Sequence, residues 1–369
     1  MSIHRRHFTR KGFVLITILL IMALFWPVNA LAAPERIILP DEDSSGETMG
    51  ETGLVLATKD GGQLRVNAVL AGSGGGTDIS LTKMSKDGRI SWSKSYGGSG
   101  DEQARSIQET SDNGFIITGY TSSQGTGGRD LYMLRLSPLG EKKWETAAGD
   151  SLDDEGIMVQ QTSNGDFVAV GYSQRQRTVS GSQTQTQDAD IMAVRYDRNG
   201  KKLWQRYYGG EKDDYACSIQ TNKNGGMVIA GSTRSFSQGT WDIYIIKTIE
   251  SGLVTWEKCI GGTNNYISTG VQQAPDNGYL VMGYTYDSSS AKRMEVRARL
   301  DSGGAFLWQQ ELDDQSLYGD AMRSSLMEAD DADLSVNKGN ALPPPEIPQA
   351  KQSRSGSNKQ LEQLRRISQ

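Results

Sequence analysis

Pairs of acidic residues recur along this chain at fixed distances from tryptophan. Asp101 and Glu102 lie nine and ten residues after Trp92, Asp153 and Asp154 after Trp144, and Asp213 and Asp214 after Trp204. The fourth unit offers Asn264 and Asn265 instead. Hard oxygen ligands gathered on one rim are the chemistry of a Ca²⁺ site, so Asp101, Asp153 and Asp213 are the candidate metal ligands. Paired carboxylates in one cleft can also hydrolyse glycosides, but that chemistry needs a unique pair and these are spread symmetrically. A second acidic series, Asp78, Asp130, Asp190 and Asp242, precedes a strand in each unit. Such residues accept hydrogen bonds from turn N–H groups, and repetition in most units favours a structural role for both series. No catalytic residue and no cofactor site can be named. The only histidines, His4 and His7, precede a long apolar run. If that run is removed, triads built on histidine and histidine-ligated zinc fall away.

The residues that must position these groups repeat. Trp92, Trp144, Trp204, Trp256 and Trp308 are separated by 52, 60, 52 and 52 residues. The text WSKSYGGSGDEQARSIQETSDNGFIITGYTSS from Trp92 is matched by WQRYYGGEKDDYACSIQTNKNGGMVIAGSTRS from Trp204. Each Trp is read as opening a unit of four strands: near the Trp, near ARSIQET, near GFIITGY and near DLYMLRL. Apolar residues alternate or run for a few positions, and Asp-Asn-Gly or Asn-Gly separates the strands, the signature of hairpins. The longer spacing reflects a polar insertion near Ser173 to Asp190, read as a surface loop.

Four short strands repeated at about 50 residues predict an all-β fold, a β-propeller. The five tryptophans are read as structural packing between blades. Residues 308–320 and 53–91 together supply one repeat, so the ring is expected to hold five blades, closed by strands from both chain ends. Six is the alternative count. The domain reading is a signal peptide over 1–32, a flexible acidic segment over 33–52, the propeller over 53–336, and a Pro-rich then basic flexible tail over 337–369.

Composition agrees with this frame. The chain has 369 residues, with 43 Gly against 9 Pro, which fits a turn-rich β protein. Arg5, Arg6, Arg10 and Lys11 precede an uncharged run from Gly12 to Trp26, and Ala30 and Ala32 frame an A-x-A site. This is the pattern of an export signal. Its removal takes four positive charges from a net of −5 and leaves −9. Such a charge disfavours nucleic-acid binding. The expected location is periplasm, cell surface or medium, with no membrane-spanning segment in the mature chain. A disulfide between Cys217 and Cys259 is permitted there but not required.

The units resemble the DGGYIVxGYTxS-type propeller repeats of exported bacterial and archaeal proteins. DNGFIITGYTSS from Asp112, NGGMVIAGSTRS from Asn224 and DNGYLVMGYT from Asp276 carry the resemblance. Gly200, Lys201 and Trp204 also resemble the tryptophan-docking turn of quinoprotein-type propellers, where the turn is structural. The vicinal cysteines of many quinoprotein alcohol dehydrogenases are absent. These resemblances imply the fold and leave activity unassigned. The expectation is a monomeric, non-catalytic binding or scaffold module for an envelope protein or polysaccharide. The alternative is an extracytoplasmic hydrolase, lyase or quinoprotein-like enzyme.

Overall fold

A computed structural model describes residues 53–71, 75–178, 185–238, 240–286 and 293–313. The expected signal peptide, acidic segment and C-terminal tail lie outside them, as does 314–336. Twenty strands form five four-stranded antiparallel sheets, each contiguous in sequence. Sheet 1 holds β1 (Leu54–Ala57), β2 (Gln63–Leu70), β3 (Thr77–Met84) and β4 (Ile90–Tyr96). Sheet 2 holds β5 (Glu102–Glu109), β6 (Phe115–Thr121), β7 (Asp130–Leu136) and β8 (Lys142–Ala148). Sheet 3 holds β9 (Asp154–Gln161), β10 (Phe167–Thr178), β11 (Gln185–Tyr196) and β12 (Lys202–Tyr208). Sheet 4 holds β13 (Asp214–Thr221), β14 (Met227–Thr233), β15 (Asp242–Thr248) and β16 (Val254–Ile260). Sheet 5 holds β17 (Asn265–Gln273), β18 (Tyr279–Tyr286), β19 (Arg293–Leu300) and β20 (Phe306–Asp313). This is the architecture of a five-bladed β-propeller core.

The strand count per repeat agrees with the sequence reading, but the frame differs. Each Trp closes a sheet instead of opening one. Trp204 on β12 pairs with Arg195 on the strand before it, across a tight turn. Pairing back through a short hairpin costs less loop entropy than pairing with a distant strand. For the same reason the expected sheet shared by both chain ends does not form. Trp308 pairs with Arg299 on β19, and β1 to β4 complete a sheet without help from the C-terminal side.

The insertion is also more regular than expected. It lengthens one hairpin, so that β10 and β11 stay paired from Phe167↔Tyr196 out to Thr178↔Gln185. The ladder needs no apolar side chains, and Arg177 stitches it by ion pairs to Asp188 and Asp190, each 2.6 Å. The Asp-Asn-Gly signals hold: Asn113 and Asn277 take φ of 60° and 65°, which asparagine tolerates better than most residues.

Four apolar clusters join neighbouring sheets. Leu64, Ile79, Phe115 and Tyr132 are buried between sheets 1 and 2, and Ile116, Met133, Phe167 and Val194 between 2 and 3. Val170, Ile191, Ile229 and Tyr244 fill the space between 3 and 4; Ile243, Ile245, Val281 and Val296 that between 4 and 5. Central strands such as β6 and β7 are therefore buried on both faces.

At the edge of each junction the recurrent indole meets a glycine. A Cβ on Gly140, Gly200, Gly252 or Gly304 would lie 2.9, 2.8, 3.3 or 2.7 Å from the ring of Trp92, Trp144, Trp204 or Trp256. These glycines sit in turns at φ of 72° to 85°, so both conformation and contact call for the missing side chain. The Nε1 groups of Trp92, Trp144 and Trp204 donate to the carbonyls of Pro138, Arg198 and Glu250, at 3.1, 3.1 and 3.0 Å. At the fourth junction the equivalent carbonyl, of Ser302, accepts from Lys247 Nζ instead. Trp92, Trp144, Trp204 and Trp256 thus pack one sheet against the next, whereas Trp308 is 40% exposed.

Replacing Gly252 with Val puts a branched side chain at φ 78° and crowds it against Arg206, Tyr208 and Trp204, whose nearest atoms lie 2.9, 3.2 and 3.3 Å from its Cβ. Urea unfolding is expected to show a loss of about 2–4 kcal/mol, similar to Trp204→Ala.

Candidate functional site

The candidate Ca²⁺ ligands do not come together. Asp101 Oδ1 accepts the backbone N–H and the hydroxyl of Thr77, at 2.9 and 3.0 Å. Asp153 Oδ1 accepts the N–H of Arg129 at 2.9 Å, and Asp213 Oδ1 that of Ala189 at 3.2 Å. Each carboxylate therefore bonds across one junction to the third strand of the preceding sheet, at its start for Thr77 and Arg129 and within the extended β11 for Ala189. Among the described residues no three acidic, histidine or cysteine side chains gather as a metal site.

The acid after each of these lies deeper. Glu102, Asp154 and Asp214 are buried, and the tenth position in the last unit is Tyr266, not an asparagine. Glu102 Oε2, Asp154 Oδ2 and Asp214 Oδ2 accept the N–H groups of Gly98, Asp150 and Gly210, at 2.7, 2.8 and 2.8 Å. They fold the loop linking one sheet to the next. Facing them is the second acidic series. A Cβ on Gly149 would collide with both Asp130 and Asp154, and one on Gly209 with both Asp190 and Asp214. Carboxylates from adjacent sheets thus converge on a loop glycine. Asp130 Oδ2 also accepts from the N–H groups of Thr126 and Gly127, the turn role expected of its series. Asp190 is served differently, by both oxygens on Arg177 Nη2 at 2.7 and 2.6 Å.

Asp130 and Asp154 have no such cation, and each keeps one buried oxygen without a partner. Burial, with Asp150 and Asp130 nearby, pushes the Asp154 carboxyl up to about 6. Burial raises Asp130 as well. Burial makes the charged form costly at both carboxyls.

The sequence reading missed a group that breaks the repeat. Eleven residues after each Trp stand Gln103, Glu155, Tyr215 and Ile267; thirteen after stand Arg105, Ile157, Cys217 and Thr269. Glu155 and Arg105 are unique at their positions and form an ion pair between sheets 2 and 3. Tyr172 donates to the other oxygen of Glu155 at 3.0 Å. Tyr172 and Tyr215 meet edge to face at 5.2 Å, and Tyr215 and Trp241 lie 5.9 Å apart. Exposed guanidinium groups flank both ends, Arg129 over Tyr120 at 4.5 Å and Arg234 over Trp241 at 5.6 Å. The register places Glu155, Tyr172 and Trp241 at the edge that carries the sheet-to-sheet connections. A polar chain beside half-buried rings can hydrogen-bond a ligand and stack on its flat faces. The available signal was departure from the repeat, whereas the search was for residues that obey it.

A further series repeats in all five sheets, nine residues before each Trp: Lys83, Arg135, Arg195, Lys247 and Arg299. Lys83 bonds Asp60 at 2.7 Å, Arg195 bonds Asp166 at 2.9 Å, and Arg135 and Arg299 reach Asp112 and Asp276. These four cations tie the third strand to the first turn of the same sheet, whereas Lys247 reaches the Ser302 carbonyl of the next sheet. Cys217 and Cys259, whose pairing was open, are both free thiols.

The folded Asp154 carboxyl holds its proton more tightly than its unfolded value of 3.8. Its contribution to stability is therefore full below about pH 4 and lost as pH rises through about 6. The unfolding free energy of the wild type is expected to fall between about pH 4 and about pH 6.5 relative to Asp154→Asn. Parallel urea titrations of both proteins check this.

No family model matches the chain, and no curated protein matches it. Among solved structures it is similar to a glucose dehydrogenase at 13% identity, covering 63% of this chain and 78% of that one, with a TM-score of 0.32. It is similar to a GH43_12 protein retrieved from capybara gut metagenome at 11% identity, covering 70% and 55%, with a TM-score of 0.32. A eukaryotic initiation factor is similar at 8% identity, covering 68% and 63%, with a TM-score of 0.30. The likeness is one of β-sheet architecture and reaches no residue's role.

Proposed function

We propose that this protein is a non-catalytic, exported β-propeller that binds a protein or polysaccharide of the cell envelope. The observation that carries the reading is the break in symmetry at one edge: Arg105, Glu155, Tyr215 and Trp241, gathered around the repeat's own Tyr172 and supplied by three successive sheets. A scaffold alone has no need of it, because the other junctions pack without an equivalent. Half-buried aromatic rings next to exposed Arg129 and Arg234 suit a hydroxyl-rich or anionic surface. Export rests on the charged, apolar and A-x-A pattern of residues 1–32. The finer likeness to exported propeller repeats rests on the DNGFIITGYTSS-type segments.

The enzyme alternative gains no support from the acidic residues. Those that converge repeat from junction to junction, and Glu102, Asp154 and Asp214 are buried beneath the linking loops.

Arrayed envelope polysaccharides and immobilised envelope proteins provide the test. Trp241→Ala and Arg234→Ala are expected to weaken binding about tenfold each, a loss of about 1.4 kcal/mol, with an unfolding midpoint near that of the wild type for Arg234→Ala. Equal binding by both variants, or release of cleaved product by the wild type, sinks the reading.

A further inference from the structure

Four of the five cations that precede a Trp have an acid in the first turn of their own sheet: Asp60, Asp112, Asp166 and Asp276. Lys247 has none. The first turn of sheet 4 runs from Asn222 to Gly226. In it Asn224 takes the place of Asp112 and Asp276, and a second cation, Lys223, precedes it. Lys247 Nζ donates to the Ser302 carbonyl at 2.8 Å and lies 5.3 and 5.8 Å from the ring centres of Tyr279 and Trp256. The acids of the neighbouring turns are engaged elsewhere. Glu250 pairs with Arg195 at 2.8 Å, Asp276 pairs with Arg299, and Asp301 accepts the N–H groups of Gly303 and Ala305, both at 2.8 Å.

Beside Lys247 the two sheets leave a cavity of about 340 Å³. Lys223, Asn224 and Lys247 line it from sheet 4, Gln273 and Tyr279 from sheet 5, and no acid lines it. Tyr279 departs most from the repeat. Its equivalents in sheets 2 to 4 are Phe115, Phe167 and Met227, none with a hydroxyl. Tyr279 is 1% exposed, and its OH has no hydrogen-bond partner among the described residues. The Trp256 Nε1 at the same junction is also buried and unpaired, whereas the other three junction indoles donate to carbonyls. A buried donor left unpaired is costly. Two such donors beside two lysines make a donor set with no acceptor of its own.

We infer that this cavity binds a small organic anion, whose carboxylate or phosphate pairs with Lys247 as Asp112 and Asp276 pair with their arginines. Lys247 keeps two N–H donors besides the one on Ser302, and Tyr279 supplies its hydroxyl. The volume is at the small end for a ligand site. Amides suit hydroxyls on the rest of the molecule: Asn222, also in the lining, accepts the Asn224 N–H on Oδ1 at 3.0 Å and keeps Nδ2 as a free donor. A sugar acid or a sugar phosphate meets both conditions. The chain's net charge of −5 does not oppose this, because exposed charges more than about 8 Å away are largely screened at physiological salt. The cavity lies at the edge opposite Trp241, so it shares no residue with the aromatic edge.

Isothermal titration of the full chain tests this with galacturonate, glucose 6-phosphate, inorganic phosphate and galactose. One of the two sugar anions is expected to bind, the tighter one telling carboxylate from phosphate, with galactose about tenfold weaker. Tyr279→Phe is expected to weaken the anion about tenfold. Without ligand its unfolding midpoint is expected to be no lower than that of the wild type, because the hydroxyl has no partner to lose. Asn224→Asp combined with Lys247→Arg rebuilds the pair of sheets 2 and 5 and is expected to abolish binding. Binding that survives the double variant, galactose held as tightly as the sugar anions, or no binding of either sugar anion overturns the inference. Inorganic phosphate held as tightly as either sugar anion also overturns it, as the mark of lysines alone. If the double variant fails to fold, Tyr279→Phe decides, and unchanged affinity there overturns the inference.

Discussion

An indole laid over a glycine is the contact on which this architecture depends. The glycine contributes by lacking a side chain, at a positive φ that other residues rarely adopt. The tryptophan contributes area, and in three of the four cases a hydrogen bond that fixes its tilt. Remove either and neighbouring sheets keep their apolar cores but lose the contact that sets their outer spacing. The buried faces of β6, β7, β14 and β15 are consequences of that spacing, since they fill the room it leaves.

Polar side chains do the corresponding work on the opposite edge. Asp101, Asp153 and Asp213 reach back to one sheet, while Glu102, Asp154 and Asp214 hold the loop that leads from it. The arrangement spends charge on geometry. That is why recurrent carboxylates, which on paper suggest calcium or hydrolysis, end up satisfied by backbone donors or facing one another. Function has to be sought where the repeat is broken, and the Arg105–Glu155 ion pair is the clearest break.

Much of the fold was legible in the text. Trp spacing gave the number of sheets, and Asp-Asn-Gly gave two of the turns with their positive φ. The starting point of the repeat was not legible, because a strictly periodic sequence has no marked origin. Only pairing partners such as Arg195↔Trp204 define it. The polar strands of the long hairpin were missed because nothing in Gln, Thr and Arg announces a ladder whose side chains face water. Lys83 and its four equivalents were visible at a fixed offset from Trp, yet charged residues are discounted when a core is being looked for. The candidate site was least legible. Its members come from three units, and each is unremarkable alone.

Because every sheet is built from one uninterrupted stretch of chain, none has to wait for a distant strand. Sheet 1 can complete its ladder by Tyr96, long before Trp308 is synthesised. Contacts of low sequence separation form quickly, and the chain need hold few unpaired edges as it lengthens. Whole units can also be gained or lost without leaving a half-sheet behind.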